Sequence, residues 1–291
     1  MFSPDGQVLA SSDAPLGEAP NPRKANHIVL WDLARHKQRD KIVAGHGSTH
    51  VTGLAFSPDG RILVSSIGDR AGDGTVVVWD AARGTRLATL RGLRGEVAGM
   101  AFSPDGRTLA VASDDISLWD VARRTRVVTV LRGLGGGGGR SPDYEGRSAV
   151  AFSPDGQILA ASVGREAILW DVARRTRLAT LTASGRVAFS PDGRTLAAEE
   201  TATSPNDSPT IGLWDVSRHI RLGTIPASRD PAFSPDGHTL ATTDFDYGAT
   251  VLWNLDPASW VRHLCGMVGR DLTTEEWQEF LPEQTPSKVC G

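Results

Sequence analysis

The sequence predicts an all-β protein built from repeated copies of one small sheet, and three observations predict it. The pentapeptide Phe-Ser-Pro-Asp-Gly begins at Phe2, Phe56, Phe102, Phe152, Phe189 and Phe233. A second marker runs in step with it: Trp-Asp at Trp31, Trp79, Trp119, Trp170 and Trp214, then Trp253-Asn254. The segments that end in these tryptophans, such as Thr75-Val-Val-Val-Trp79, are apolar at consecutive positions, the mark of a strand covered on both faces. Self-similarity at this period means one supersecondary unit that buries its faces only against neighbours.

Each unit reads as four strands. The first ends at the pentapeptide's Phe, as in Val97 to Phe102, with Met100 and Phe102 on one face. Ser-Pro-Asp-Gly then makes a turn. Pro presets φ near −65° at the first central position, Asp suits the second, and Gly takes the left-handed position of a bulged hairpin. A second strand follows, as in Thr108 to Ala112, and a loop of variable length leads to the Trp-bearing third strand. An Arg-rich turn leads to a fourth, more polar strand such as Arg86 to Leu90, expected at the outer edge. A sheet with two apolar faces needs a neighbour on each side, and radial repetition of such sheets is a β-propeller. Each repeated Trp buries about 150–250 Å² in such a packing, or roughly 4–6 kcal/mol as an upper bound.

These paired markers resemble those of the WD-repeat β-propellers, over residues 2–255. A related class of periplasmic propellers carries Ser-Pro-Asp-Gly turns without Trp-Asp, and the Trp marker favours the first family. The resemblance implies a structural role for Trp31, Trp79, Trp119, Trp170, Trp214 and Trp253. It also implies a buried tetrad of His, Ser or Thr, Asp and Trp, for which one unit offers a full set: His46, Ser65 or Ser66, Asp73 and Trp79. In the next unit Leu93 stands in the His place, so apolar packing is expected to carry more of the stability. The first unit lacks nearly all of its innermost strand and the last lacks an outer one. The expectation is six recognisable four-stranded blades, the first and last incomplete, in a poorly sealed or open ring, with blades preceding Met1 in a longer protein.

Residues 256–291 read as a short C-terminal helical tail packed on the propeller. Asp256-Pro257 is an N-cap followed by Pro at the first helical position. Thr273-Thr-Glu-Glu276 is a capping box. The run GRDLTTEEWQEFLP resembles the tails of bacterial WD-repeat proteins, which often carry an NTPase or protein-kinase domain upstream. This chain has neither the phosphate-binding Gly-rich loop nor the His-Arg-Asp catalytic loop of those domains.

Composition narrows the function. The formal net charge of −3 gives no overall attraction to nucleic acid or anionic membrane, and no apolar run reaches the roughly 20 residues of a membrane span. No signal peptide is visible, which points to the cytoplasm. The two cysteines, Cys265 and Cys290, have no metal-binding spacing, and whether they pair stays open. His46 and His50 fall in a loop, where a metal site is the weaker reading. The glycine run GLGGGGGR opens no helix and so lacks the geometry that cradles phosphate. No cofactor is called for. The Arg-rich turns, such as Asp120-Val-Ala-Arg-Arg-Thr-Arg126, are expected to share a face with Asp59, Asp105, Asp155 and Asp192 and to pair there, which weighs against nucleic-acid binding.

The opposite face carries the insertions, at 13–26, 133–147, 199–209 and 244–248. A rigid scaffold with one repetitive and one variable face suggests recognition of a protein or peptide on the variable side. Tyr144, Tyr247, Arg140 and Asp207 are the candidate contact residues there. The leading expectation is a non-catalytic interaction or sensing scaffold, the C-terminal part of a larger bacterial signalling protein. The alternatives are a propeller hydrolase using the central channel and a truncated fragment without independent function. Against the hydrolase, the inner strands offer Leu54, Met100, Val150 and Val187 rather than converging acids and histidines.

Overall fold

The computed structural model describes residues 1–13, 25–46, 49–68, 74–131, 149–163, 166–183, 185–200, 209–226, 228–244 and 248–256, together with Ser259 and Thr273. Among them the chain folds into six small antiparallel sheets of three or four strands, each a simple meander. Sheet one holds β1 (Val8–Asp13), β2 (Ala25–Asp32) and β3 (Lys37–His46). Sheet two holds β4 (His50–Phe56), β5 (Ile62–Gly68), β6 (Gly74–Asp80) and β7 (Thr85–Leu90). Sheet three holds β8 (Gly99–Phe102), β9 (Thr108–Ala112), β10 (Ile116–Asp120) and β11 (Thr125–Leu131). Sheet four holds β12 (Ala149–Phe152), β13 (Ile158–Val163), β14 (Glu166–Asp171) and β15 (Thr176–Leu181). Sheet five holds β16 (Val187–Phe189), β17 (Thr195–Glu200), β18 (Thr210–Asp215) and β19 (Ile220–Ile225), and sheet six holds β20 (Ser228–Phe233), β21 (Thr239–Asp244) and β22 (Thr250–Asn254). Consecutive sheets lie side by side through their first strands, β4 beside β8, β8 beside β12, β12 beside β16 and β16 beside β20, consistent with propeller blades.

Register fixes which residues share a face. In each sheet a Leu of the second strand lies opposite the Trp of the third, as Leu63 opposite Trp79 and Leu159 opposite Trp170. The next residue of the second strand lies opposite the residue before the Trp, as Ala160 opposite Leu169. Because side chains alternate, the first pair points to one neighbouring sheet and the second pair to the other.

The same interface therefore forms five times. Ala10, Leu30 and Ile42 receive Phe56, Leu63 and Trp79. Val64, Val78 and Leu90 receive Phe102, Leu109 and Trp119. Ala110, Leu118 and Val130 receive Phe152, Leu159 and Trp170. Ala160, Leu169 and Leu181 receive Phe189, Leu196 and Trp214. Ala197, Leu213 and Ile225 receive Phe233, Leu240 and Trp253. The receiving side chains are small or aliphatic and the inserted ones include the large aromatics, which is how close packing is met in a tapering space.

The first and last sheets depart from four strands as the sequence indicates. In sheet one the innermost strand is reduced to a single bridge, Phe2 opposite Leu9. Sheet six has no fourth strand among the described residues. Among the described residues, their outward faces are exposed at Phe2, Trp31 and Leu252. Trp31 is 38% exposed where Trp79 and Trp119 are 4% and 5% exposed, so the tryptophan marker does not mean burial in sheet one. Beyond β22, the Ser259 amide donates to Asp256 Oδ2 at 3.1 Å, the bond of an N-cap. The helices expected after it, with Cys265 and Cys290, lie outside the described residues.

Candidate functional site

An antiparallel meander sends its first and third connections to one end of the sheet and its second connection, with the link to the next sheet, to the other. The array therefore has a repetitive end and a variable end.

At the repetitive end, each Ser-Pro-Asp-Gly turn is closed by its own side chains. The Ser hydroxyl donates to the Asp carboxylate at 2.5–2.6 Å in all six copies. The same hydroxyl accepts the amide that opens the second strand at 2.9 Å, as from Ile62 to Ser57 and from Thr239 to Ser234. The Asp Oδ1 accepts the amide two residues on at 3.0 Å, as from Arg61 to Asp59. The turn glycines have φ between 68° and 75°, a conformation that favours Gly. The turns also touch each other. The ring of Pro4, Pro58, Pro104, Pro154 and Pro191 lies against the turn glycine of the following sheet, where a Cβ on Gly60, Gly106, Gly156, Gly193 or Gly237 would stand 3.2–3.7 Å from the proline Cδ. Gly6 has nothing within 4 Å, so Pro235 does not close the series.

The turns after the tryptophans are equally self-contained. The Asp of each Trp-Asp accepts the amide of the Arg three residues later, at 2.7–2.9 Å for Arg35, Arg83, Arg123, Arg174 and Arg218. The guanidinium of the same Arg reaches the other carboxylate oxygen, at 2.7–2.8 Å in four turns and 3.9 Å for Arg218 and Asp215. The arginines of these turns thus pair with Asp32, Asp80, Asp120, Asp171 and Asp215, not with Asp59, Asp105, Asp155 and Asp192 as the sequence suggested. An i,i+3 partner in the same tight turn is nearer than any carboxylate of the neighbouring turn. Arg126, on the strand beyond, stacks over Trp119 with its guanidinium 4.9 Å from the ring centre.

These bonds set the electrostatics. The Ser57 hydroxyl, then the Arg61 amide, hold the Asp59 carboxyl below the usual range, and the equivalent groups act on Asp5, Asp105, Asp155, Asp192 and Asp236. The Arg83 amide, then its guanidinium, lower Asp80, and Asp120 and Asp171 follow the same order. The repetitive end is thereby a surface of carboxylates already bonded to their own turns.

The variable end is built differently. The connection between second and third strands runs from Asp13 to Ala25, Gly68 to Gly74, Ala112 to Ile116, Val163 to Glu166, Glu200 to Thr210 and Asp244 to Thr250 in the six sheets. The links between sheets are as unequal, from Ile225–Ser228 to Leu131–Ala149. The described charges here make contacts specific to one sheet. Lys41 Nζ lies 3.0 Å from Asp13, and Arg221 lies 3.1 Å from Glu200. Between sheets five and six, Arg186 lies 2.5 Å from Asp230, whose amide donates to Glu199 Oε1 at 2.8 Å.

Of the residues singled out by sequence, Ser65 is fully buried and accepts the Trp79 Nε1 proton at 2.9 Å. Ser66 bonds instead to Thr52 at 2.7 Å. The side chain of His46, and Asp73, Arg140, Tyr144, Asp207 and Tyr247, lie outside the described residues. Among the described residues there is no group of three or more His, Cys, Asp or Glu side chains able to hold a metal ion. No helix among them is long and apolar enough to cross a membrane. Sequence reasoning assigned the turn serine no task, yet it closes every pentapeptide turn; its unbroken recurrence beside Pro was the available signal.

No curated protein matches the chain. The family model for the WD domain, G-beta repeat, matches residues 37–80, 84–120 and 145–171. The first of these spans begins on β3 and ends with β6, so a repeat takes the outer strand of one sheet and three strands of the next. Proteins with such repeats are generally non-catalytic and typically mediate protein–protein interaction. The chain carries WD40 repeats, and its six small antiparallel sheets have the build of the blades of a WD-repeat β-propeller.

Proposed function

We propose that this chain is a non-catalytic scaffold that captures a protein or peptide partner on its variable end. The observation that carries the reading is the contrast between the two ends. Polar groups of the repetitive end are bonded within their own turns, whereas connections of unequal length crown the other end on the same rigid strands. The contact residues proposed are Arg140, Tyr144, Asp207 and Tyr247, because Tyr supplies much contact area for little ordering entropy. Residues 1–255 form the scaffold and 256–291 a tail packed on it. The resemblance of the tail supports a cytoplasmic setting as the C-terminal part of a larger bacterial signalling protein, with an NTPase or kinase domain upstream as the regulated unit.

The test is affinity capture from a lysate of the source organism, repeated with 133–147 and 201–208 each replaced by a short Gly-Ser linker. Residues 199 and 200 are kept because Glu199 and Glu200 hold Asp230 and Arg221. Loss of the captured partner from a chain that still melts cooperatively is the expected result. Undiminished capture by both replacements would refute the variable-end assignment.

A further inference from the structure

One residue in each turn after a Trp-Asp sits at positive φ: His36, Gly84, Arg124, Arg175 and His219, with φ of 50°, 64°, 59°, 57° and 58°. Gly adopts that conformation without strain, and an L side chain does not. Sheet two takes the unstrained choice, and its surroundings explain why. A Cβ on Gly84 would run into the carboxylate of Asp40, which belongs to the outer strand of sheet one. The left-handed position therefore lies at the seam to the preceding sheet. Register sets Asp40 opposite Leu30, and the residues so placed in sheets two and three are Ala88, opposite Val78, and Val128, opposite Leu118. The seams at Arg124 and Arg175 thus carry an alkyl group where the seam at Gly84 carries an acid. Arg124 itself borders the crevice between sheets two and three, with Leu90, Phe102 and Trp119.

The carboxylates of these turns are already engaged. Asp120 and Asp171 take Arg123 and Arg174, at 2.7 and 2.8 Å, and Asp105 and Asp155 take Ser103 and Ser153, both at 2.6 Å. Arg124 and Arg175 are exposed, and among the described residues neither guanidinium is paired with a carboxylate. They belong to two copies of one heptapeptide, Asp-Val-Ala-Arg-Arg-Thr-Arg at 120–126 and 171–177, on neighbouring sheets. We propose that these two turns form a docking surface for an acidic segment of a protein partner, separate from the variable end, with one carboxylate taken at each seam. The seam between sheets one and two shows the fit, because there an acid of the chain itself, Asp40, fills the place that the partner's carboxylate takes beside Arg124 and Arg175. A guanidinium offers two parallel donors to a carboxylate, and an apolar border on one side strengthens the bond. Charge spacing favours a peptide over nucleic acid. The ionised Asp105 and Asp155 stand at the same end, and a strand with a phosphate at every nucleotide sets charges against them. Carboxylates spaced along a peptide need meet only the arginines.

Fluorescence anisotropy of a labelled, alternating Glu-Ser decapeptide titrated with the full chain tests it, at about 50 mM salt to limit screening. The wild type is expected to bind this peptide and not its Gln-Ser counterpart. The double variant Arg124→Gln, Arg175→Gln is expected to bind roughly tenfold or more weakly. Its control, Arg107→Gln with Arg194→Gln, removes the same charge from exposed side chains of the pentapeptide turns and is expected to stay within about twofold of the wild type. Ala88→Asp with Val128→Asp gives sheets two and three the acid that sheet one has in Asp40, and is expected to weaken binding although both arginines remain. Melting checks that each variant is folded. Replacing 133–147 by a Gly-Ser linker is expected to change nothing, which separates this surface from the variable end. A wild type that binds both decapeptides alike, or neither, overturns the proposal. So does an equal loss in the Arg107, Arg194 control, or a single-stranded decanucleotide that binds more tightly than the Glu-Ser peptide and displaces it.

Discussion

Trp79 and Trp170 occupy equivalent places in sheets two and four, yet their indole nitrogens fare differently. Trp79 donates to Ser65 at 2.9 Å, Trp31 to Ser11 at 3.0 Å and Trp253 to Thr242 at 2.9 Å, each acceptor two residues beyond the Leu that faces the Trp. Sheet three solves the problem from the other strand, with Ser117 accepting from Trp119 at 2.9 Å. In sheets four and five the corresponding residues are Ala161 and Ala198, and the buried Nε1 atoms of Trp170 and Trp214 have no hydrogen-bond partner. An unsatisfied buried donor costs free energy that a hydroxyl recovers. Ala161→Ser is therefore expected to raise unfolding free energy by about 0.5–1.5 kcal/mol, read from denaturant midpoints at unchanged m-value. The tryptophan positions were legible in the sequence because Trp is rare and the marker is exact. The acceptors were not, because Ser, Thr and Ala alternate at one position and Ser117 substitutes from another strand; only register shows that these are answers to one demand.

At the scale of the element, the pentapeptide turn is both a local closure and a contact between sheets. The first role follows from sequence, since Pro, Asp and Gly each have a known place in such turns. The second does not, because nothing in a turn's own residues says that its Gly will lie under the preceding turn's Pro. The two roles separate in a pair of substitutions. Gly6 and Gly156 have φ of 68° and 72°, so Ala strains both turns by about 1–2 kcal/mol. A Cβ on Gly156 also stands 3.2 Å from Pro104 Cδ, whereas one on Gly6 meets nothing within 4 Å. Gly156→Ala is expected to lower the melting temperature more than Gly6→Ala, and equal losses would mean that the Pro–Gly contact carries no strain. The outer strands were placed correctly from their polar alternation, but not their irregularity. Register shifts beside Trp31, Trp79, Trp119, Trp170 and Trp214 bend each outer strand, a feature that a sequence pattern of period two does not reveal.

For the whole molecule, the repeated carboxylates act in concert. Asp5, Asp59, Asp105, Asp155, Asp192 and Asp236 in one kind of turn, and Asp32, Asp80, Asp120, Asp171 and Asp215 in the other, are all held below the ordinary carboxylate value in the folded chain. A depressed folded pKa stabilises the fold above the unfolded value, about 3.9, and that stabilisation is lost as pH falls through the folded value. Urea midpoints are expected to be insensitive to these groups above pH 5 and to drop steeply below about pH 4. A midpoint that holds steady down to pH 3 would show that the turn bonds contribute little. The order of the sheets and their incomplete ends were legible from the markers. Which neighbouring side chains each tryptophan meets was not, because that depends on what lies beside a sheet and not on its own residues.

The offset between repeat and sheet gives the chain a property of growth. A coding stretch running from one outer strand through the turn after the next Trp-Asp, as from Thr85 to Arg124, ends at the same structural place where it starts, one sheet further on. Copying or excising such a stretch leaves every surviving junction between neighbours of the kind already described. Arrays of this design can lengthen or shorten by unequal recombination without inventing a new join, and their members are free to differ in number while agreeing in every seam.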